Sequence, residues 1–328
     1  MRVLILGGSV FLSRSIVVQA LSAEHEVLCA TRGVTGTIPR GARHITVDRA
    51  VGLEPLDGET FDAVVDVSSN PEHVRAATRA LAGRVGHWTY ISSCSAYADQ
   101  ATPNQSAADA PLLDPTEEGY GNAKVACENA VRDSGVPALI CRPGLIVGPG
   151  DSVPRFTYWP LRMTRGGEVL APGAPDRLVQ YIDVDDLSGW LLQSIEGGLT
   201  GVYDTTGPTM PFSELLMQIA SGVGSRVRFT WVDQDFLLES GVEPWMGKRS
   251  LPLWLPTPEY AGFMTRDTTP ARDAGLTVRS TAETARTTLD WWRGHPDEIP
   301  LAAGLDAQDE HDLLRAWHER TGTDRYGE

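Results

Sequence analysis

Long apolar runs are missing from this chain of 328 residues. No stretch approaches the ~20 residues that cross a bilayer as a helix, and no charged-then-apolar leader precedes the first apolar segment. Cysteine is scarce. The four (Cys29, Cys94, Cys127, Cys141) are scattered, with no CxxC pair and no Cys/His cluster, which argues against a disulfide framework or a zinc site and fits a reducing compartment. An excess of positive charge is missing too. Lys and Arg number 28 against 43 Asp and Glu, a net charge of −15, so nucleic acid and anionic membrane would be repelled. No internal repeat is visible, and no segment is biased enough to read as disordered. These absences point to a soluble, cytoplasmic protein that binds neither nucleic acid nor membrane and holds no metal.

What is present is an ordinary apolar share, 41%, in a chain long enough for about two domains. RVLIL (2–6) reads as a strand buried on both faces. A helical stretch runs from about Leu12 to Ala23. Strands follow at 26–32, 44–48, 61–68 and 87–93, with an amphipathic stretch from Pro71 to Leu81. Residues 117–134 read as a helix, and 137–150 as a strand ending in a Pro/Gly loop. Strands alternating with helices predict an α/β fold, a Rossmann-type doubly wound parallel sheet, over residues 1–150. Beyond Gly150 prolines and tryptophans become frequent. Residues 179–206 read as strand and helix returning to the sheet domain. Helices are expected at 212–222, 233–239, 281–293 and 306–320. The remainder of 151–328 then forms a smaller, mixed substrate domain.

The turn after the first strand, GGS, has the shape of a dinucleotide loop. Such a loop usually carries three glycines; here Gly7 is in place, and Val10 and Ser13 stand at the other two positions. Gly7 occupies the tight turn that most needs positive φ, and the helix start offers free N–H groups to a phosphate. A plain strand-to-helix turn fits this stretch equally well. At the end of the second strand, where a carboxylate would meet the ribose of NAD, stands Arg32, which suits the extra phosphate of NADP or a solvated surface. Arg14, Arg40 and Arg43 are further candidates. Asp48 is placed either for the adenine amine or as an ordinary loop aspartate. In YGNAK (120–124), Tyr120 and Lys124 lie one helical turn apart on one face. An ammonium near a phenol lowers its pKa from about 10 and makes it a usable acid/base. TYISSCSAY (89–97) presents Ser92, Ser93 and Ser95 at a strand end, fit to hold a substrate oxygen or simply to form a polar loop.

Taken in order, GGSVFL, FDAVVDVSS, YISSCSAY, YGNAK, CRPGLIVGPG and YIDVDDL resemble the extended and atypical branches of the short-chain dehydrogenase/reductase superfamily, the NAD(P)-dependent epimerase/dehydratase-like proteins. The resemblance runs from residue 1 to about 206. It implies Ser93 as the catalytic serine, Tyr120 as the acid/base, and Lys124 as the lysine that tunes the tyrosine and binds the nicotinamide ribose. It places Gly7, Ser9, Val10, Phe11 and Leu12 in the cofactor loop. Ser68 and Ser69 follow a further strand of the cofactor site, and Pro143 and Gly144 lie beside the nicotinamide. GGSVFL looks most like the GGTxFxG variant loop, which already lacks the middle glycine. Ser13 is then the one departure, at the glycine that allows close helix–sheet packing.

Three functions follow from the resemblance. The first is NADP(H)-dependent oxidation or reduction of a small carbonyl or alcohol compound. The second is a nucleotide-sugar epimerase or dehydratase with transient hydride transfer. Such relatives often carry the arginine of RDFxxVxD, where this chain has Val179, with Arg177 displaced by two residues; Arg155, Arg162, Arg165 and Arg177 remain as substitutes for binding a diphosphate. The third is a non-catalytic dinucleotide-sensing or RNA-associated scaffold, against which the complete Ser/Tyr/Lys set and the negative charge both speak. The NADP(H) reading comes first, with a small-molecule substrate and a monomer or homodimer expected from the resemblance. Trp159, Trp231, Trp245 and Trp254 are expected mostly to fill the second domain's core, with a pocket wall as the other role. The tail from Asp306 reads as an amphipathic helix with acids near its start.

Overall fold

RVLIL forms strand β1 (Arg2–Leu6) in the computed structural model, which describes residues 1–295 and 299–322. Its side chains alternate between two buried layers, Val3 and Ile5 on one face and Leu4 and Leu6 on the other. A strand covered on both faces must be apolar throughout. With it pair β2 (Glu26–Thr31), β3 (Arg43–Thr46), β4 (Phe61–Asp66), β5 (Val85–Ile91), β6 (Ala138–Arg142) and the strand Gly201–Asp204. The sheet has seven strands, in the order Gly201–Asp204, β6, β5, β4, β1, β2, β3. All the pairings are parallel. The chain order reverses between β1 and β4, so the carboxyl ends of these strands open the crevice where such sheets bind ligands.

Helix α1 (Phe11–Ser22) and the helix Val184–Glu196 cover the Val3/Ile5 face, burying Leu12, Ile16, Val17, Leu187 and Leu191. Helices α2 (Pro71–Ala80) and α3 (Tyr120–Asp133) cover the other, burying Val74, Ala77, Cys127 and Val131 against Trp88 and Tyr90. Asn70 starts α2 by accepting from the N–H groups of Glu72 and His73, with Pro71 in the first turn. The predicted helix 117–134 begins only at Tyr120, because Gly119 stands at φ +144° and breaks the helical run.

The chain divides into two units. Residues 1–146, 181–208 and 265–278 make the first, and the remaining described residues the second. Segment 265–278 lies in the sheet unit rather than in the remainder to which the sequence reading assigns it. Ala271 and Leu276 join the α1-side core, and Trp190 donates its indole N–H to the Ala274 carbonyl at 3.0 Å. Within the second unit, strands Gly167–Pro172 and Val227–Val232 pair in parallel, alongside helices that include Phe212–Gly222, Thr281–Gly294 and Ala307–Thr321. Asp306 caps the last helix through the Asp309 N–H. Trp159 and Trp254 are fully buried, and Trp231 and Trp245 partly so. No helix among the described residues is long and apolar enough to cross a membrane.

Candidate active site

The turn after β1 needs two glycines. Gly7 has φ +139° and Gly8 φ +111°. A Cβ on Gly7 would make ordinary contacts, 3.4 Å to Val67 and 3.5 Å to Ser13. On Gly8 it would lie 2.7 Å from Cys29 Sγ. Gly8 therefore carries the stricter demand, where the sequence reading looked to Gly7. Ser13 is a second correction. Its hydroxyl accepts from the Gly8 N–H at 3.1 Å and donates to the Val10 carbonyl at 2.8 Å. The buried serine ties the turn to the helix instead of obstructing their packing. Val10 is the extended N-cap residue, has no capping side chain, and is followed by no acid in the first turn of α1. Phe11 enters the helix at φ +39°. The Leu12 side chain is buried in the core, so it can offer only backbone. Glycines free of side chains and an uncapped helix start fit a dinucleotide pyrophosphate. The loop after β2 presses on this turn, since a Cβ on Gly36 would lie 2.1 Å from the Ser9 carbonyl oxygen.

Gly121 explains how YGNAK reaches the serine loop. A Cβ there would lie 2.0 Å from the Ser95 carbonyl oxygen, so only glycine lets α3 approach so closely. Lys124, 3% exposed, donates from Nζ to the Ile91 carbonyl at 2.7 Å and the Ser68 carbonyl at 3.1 Å. Its Nζ lies 5.8 Å from the centre of the Tyr120 ring and 5.1 Å from that of Tyr90. Burial pulls the Lys124 ammonium down to about 8, against the opposite pull of Asp66 and Glu128. Tyr120 is 58% exposed, open to a substrate. The three serines separate by partner. Ser92 is buried and donates to Glu128 at 2.5 Å. Ser93 is partly exposed, and its oxygen accepts from the Ser95 N–H at 3.0 Å, which leaves the hydroxyl proton for another acceptor.

The other expected cofactor residues sit around the same strand ends. Ser68 gives its N–H to Asp66, and its carbonyl accepts from both Lys124 and Tyr90. Ser69 and Arg32 are exposed. Asp48 accepts from the Ala50 N–H at 3.0 Å and so closes its own turn. The Pro143 carbonyl accepts from the Cys94 N–H at 2.9 Å. A Cβ on Gly144 would meet Thr206 Oγ1 at 3.0 Å. Among the described residues no cluster of His, Cys, Asp and Glu could hold a metal ion.

A buried polar network beneath these residues escaped the sequence reading. Arg142 grips Glu128 with two bonds, 2.9 and 2.6 Å. Tyr97 donates to Asp204 at 2.5 Å, and the guanidiniums of Arg266 and Arg142 lie over its ring, 3.6 and 4.9 Å from the centre. Arg266 pairs with Asp204 at 3.2 Å. Burial alone would raise the Glu128 carboxyl, but Arg142, together with Ser92 and Arg132, outweighs it and holds the group below its usual range. The available signal was an arginine closing the apolar strand ALICR, which must find a buried acid. Arg49 forms a similar pair, with bonds of 2.8 and 2.7 Å to Asp66 at the end of β4.

Residues 71–201 match the NAD dependent epimerase/dehydratase family. The resemblance to the extended short-chain dehydrogenase/reductase branch therefore stands. The matched segment holds Ser93, Tyr120, Lys124, Pro143 and Gly144 but not the glycine loop. No curated protein matches the chain. Solved structures similar to it include UDP-N-acetylglucosamine 4-epimerase from Bacillus cereus, 15% identical with a TM-score of 0.68, over 92% of this chain and 99% of that one. A putative epimerase from Burkholderia cenocepacia J2315 is 20% identical, TM-score 0.67, over 89% and 98%. The NAD complex of UDP-glucose 4-epimerase from Thermus thermophilus is 18% identical, TM-score 0.65, over 90% and 100%. At these identities the likeness is one of fold, that of a Rossmann-type parallel sheet.

Proposed function

We propose that the protein is an NAD-dependent epimerase or dehydratase acting on a hydroxyl-bearing carbon of a nucleotide sugar. The observation that carries this is Lys124, buried and fixed by two carbonyls beside an open Tyr120, with Ser93 on the adjoining strand end. The family match and the nucleotide-sugar epimerases among the similar structures favour this reading over the reductase that the sequence put first. Bound NAD would supply the hydride acceptor and donor. The Gly7–Gly8 turn and the first N–H groups of α1 would hold its pyrophosphate, and Lys124 its nicotinamide ribose. Ser93 would donate its hydroxyl proton to the substrate oxygen and orient it. The Tyr120 oxygen would take the proton from the reacting hydroxyl and later return it. Lys124 holds a positive charge where the Tyr120 oxygen gains a negative one. Its anchoring to Ile91 and Ser68 fixes that charge in place before substrate arrives.

NADP(H)-dependent reduction of a small carbonyl compound is the second reading. Arg32, exposed at the end of β2, and Val179 in place of an arginine favour it. Purified protein should carry or bind NAD and turn over a UDP- or dTDP-sugar, and Tyr120→Phe should abolish turnover while leaving cofactor affinity intact. A protein that binds neither dinucleotide, or keeps full turnover without the Tyr120 hydroxyl, refutes both readings. Reduction of simple carbonyls with NADPH, and none with sugar nucleotides, selects the second.

A further inference from the structure

Two strands of the parallel sheet end in a buried charge. β6 ends in Arg142, which Glu128 matches. β4 ends in Asp66, 0% exposed, matched by Arg49 from the segment after β3. Replacing a buried ion pair by apolar packing is often neutral or stabilising, so stability alone does not account for this one. Arg49 holds both Asp66 oxygens and donates to the His73 carbonyl at 2.7 Å, in the first turn of α2. Asp66 in turn accepts the Ser68 N–H at 3.0 Å. Ser68 lies two residues beyond β4, past the paired register of the strand.

The Ser68 carbonyl is one of the two anchors of the Lys124 ammonium and also accepts from the Tyr90 hydroxyl at 2.8 Å. The other anchor, Ile91, is held by the sheet, opposite Cys141 on β6. One acceptor of Lys124 is thus set by strand pairing and the other by the Asp66 side chain. The groups facing the ammonium are Asp66 from β4, Tyr90 from β5, and Tyr120, Cys127 and Glu128 from its own helix. Burial pushes the Cys127 thiol and the Tyr90 phenol up, so both are neutral where Lys124 titrates. Asp66 and Glu128 remain as the charges that hold the ammonium against burial. Of these two, Asp66 also bonds the residue that carries one of its acceptors.

We infer that Asp66 is a positioning residue for Lys124, acting through the Ser68 backbone, and that Arg49 fixes Asp66 for that task. Asp66 holds the Ser68 N–H, the Ser68 carbonyl holds Lys124, and Lys124 keeps its charge beside Tyr120. This rests on the proposed function for what Lys124 does, and not for how it is held. The test needs neither cofactor nor substrate. Lys124 and Lys248 are the only lysines of the chain, so nuclear magnetic resonance with isotope-labelled lysine follows each side chain separately, assigned with Lys248→Arg. Lys124 should titrate at about 8 in wild type. Asp66→Asn, which keeps the shape and loses the charge, should lower that midpoint by about one unit and leave Lys248 unmoved. The double variant Arg49→Met/Asp66→Asn leaves no charge unpaired and should show the same fall. With NAD and a sugar nucleotide supplied, the alkaline limb of the kcat profile should move down with the Lys124 midpoint, while KM for the sugar nucleotide changes little. An unchanged Lys124 midpoint in either folded variant overturns the inference even where stability falls, because a pair that only supports the core would leave Lys124 alone. A double variant that fails to fold overturns it too, since the pair would then be a requirement of the core. A shifted midpoint in a protein that binds no NAD would overturn the proposed function and leave this inference standing.

Discussion

Removing the Glu128 carboxylate should cost about 3–5 kcal/mol, the range for stripping one partner from a buried ion pair. The structure places it toward the upper end. Glu128 is 0% exposed and Arg142 2%, and two bonds join them. Glu128 also receives the Ser92 hydroxyl and the Arg132 guanidinium. In Glu128→Ala the Arg142 guanidinium would keep hydrogen bonds only to the neutral Tyr97 oxygen at 3.1 Å and Ala107 carbonyl at 3.4 Å, with the Asp204 carboxylate acting on it only through space. Arg142→Met should cost less, because Arg132 and Ser92 still serve the remaining carboxylate. The double variant Glu128→Ala/Arg142→Met should recover most of the loss, since neither charge is then left unpaired. Urea unfolding of all four proteins followed by circular dichroism gives the coupling energy, expected at about 2 kcal/mol or more. A Glu128→Ala cost below about 1 kcal/mol, or a double variant as unstable as the sum of the singles, would refute the reasoning.

Lys124 titrates near 8 in the folded chain against 10.5 as its ordinary value. Between these pH values the unfolded chain holds a proton that the folded one lacks, so this group's contribution to stability rises with pH from about 8 to about 10.5 and is absent below, by about 3 kcal/mol in all. The stability difference between wild type and Lys124→Met should climb by that amount across the window; a flat difference refutes the burial argument. Gly8→Ala should destabilise by about 2 kcal/mol or more, through its positive φ and the clash with Cys29, and should cost more than Gly7→Ala in thermal melts. Ser13→Ala should lose about 1 kcal/mol and weaken cofactor binding, whereas a stabilised variant would restore the view that the serine obstructs packing. Arg32→Ala should weaken NADP more than NAD in paired titrations; equal effects on both remove the arginine from cofactor choice.

The sheet was legible because each of its strands carries its signal locally. A buried parallel strand is an apolar run, and RVLIL, EVLCAT and FDAVVD sit between glycines, prolines and polar turns. The reacting residues were legible for the same reason, since Tyr120 and Lys124 are four residues apart on one helix. Strands Gly167–Pro172 and Val227–Val232 were not read. The first has only Val169, Leu170 and Ala171 between Glu168 and Pro172, and the second has an exposed Arg228 and half-buried aromatics, so neither shows a continuous apolar run. Segment 265–278 was invisible because what ties it to the sheet unit, Arg266 on Asp204 and Ala274 on Trp190, spans more than sixty residues.

The same distinction governs the site. Sequence motifs report the groups that do chemistry, while the groups that hold them in place are joined only by the fold. Glu128 stands one turn after Lys124 on α3, and its partner Ser92 precedes Ser93. The carboxylate thus couples the helix bearing the tyrosine and lysine to the strand end bearing the serine. Arg142 closes that link from β6, one residue before Pro143. A substitution within this network should therefore alter the relative placement of Ser93 and Lys124 as well as stability. Glu128→Gln keeps the shape and a hydrogen bond to Ser92 but not the charge. It should lower kcat more than it raises KM, because a misplaced serine and lysine weaken contacts made in the transition state. An unchanged kcat at a measurable loss of stability would show that the network supports only the core.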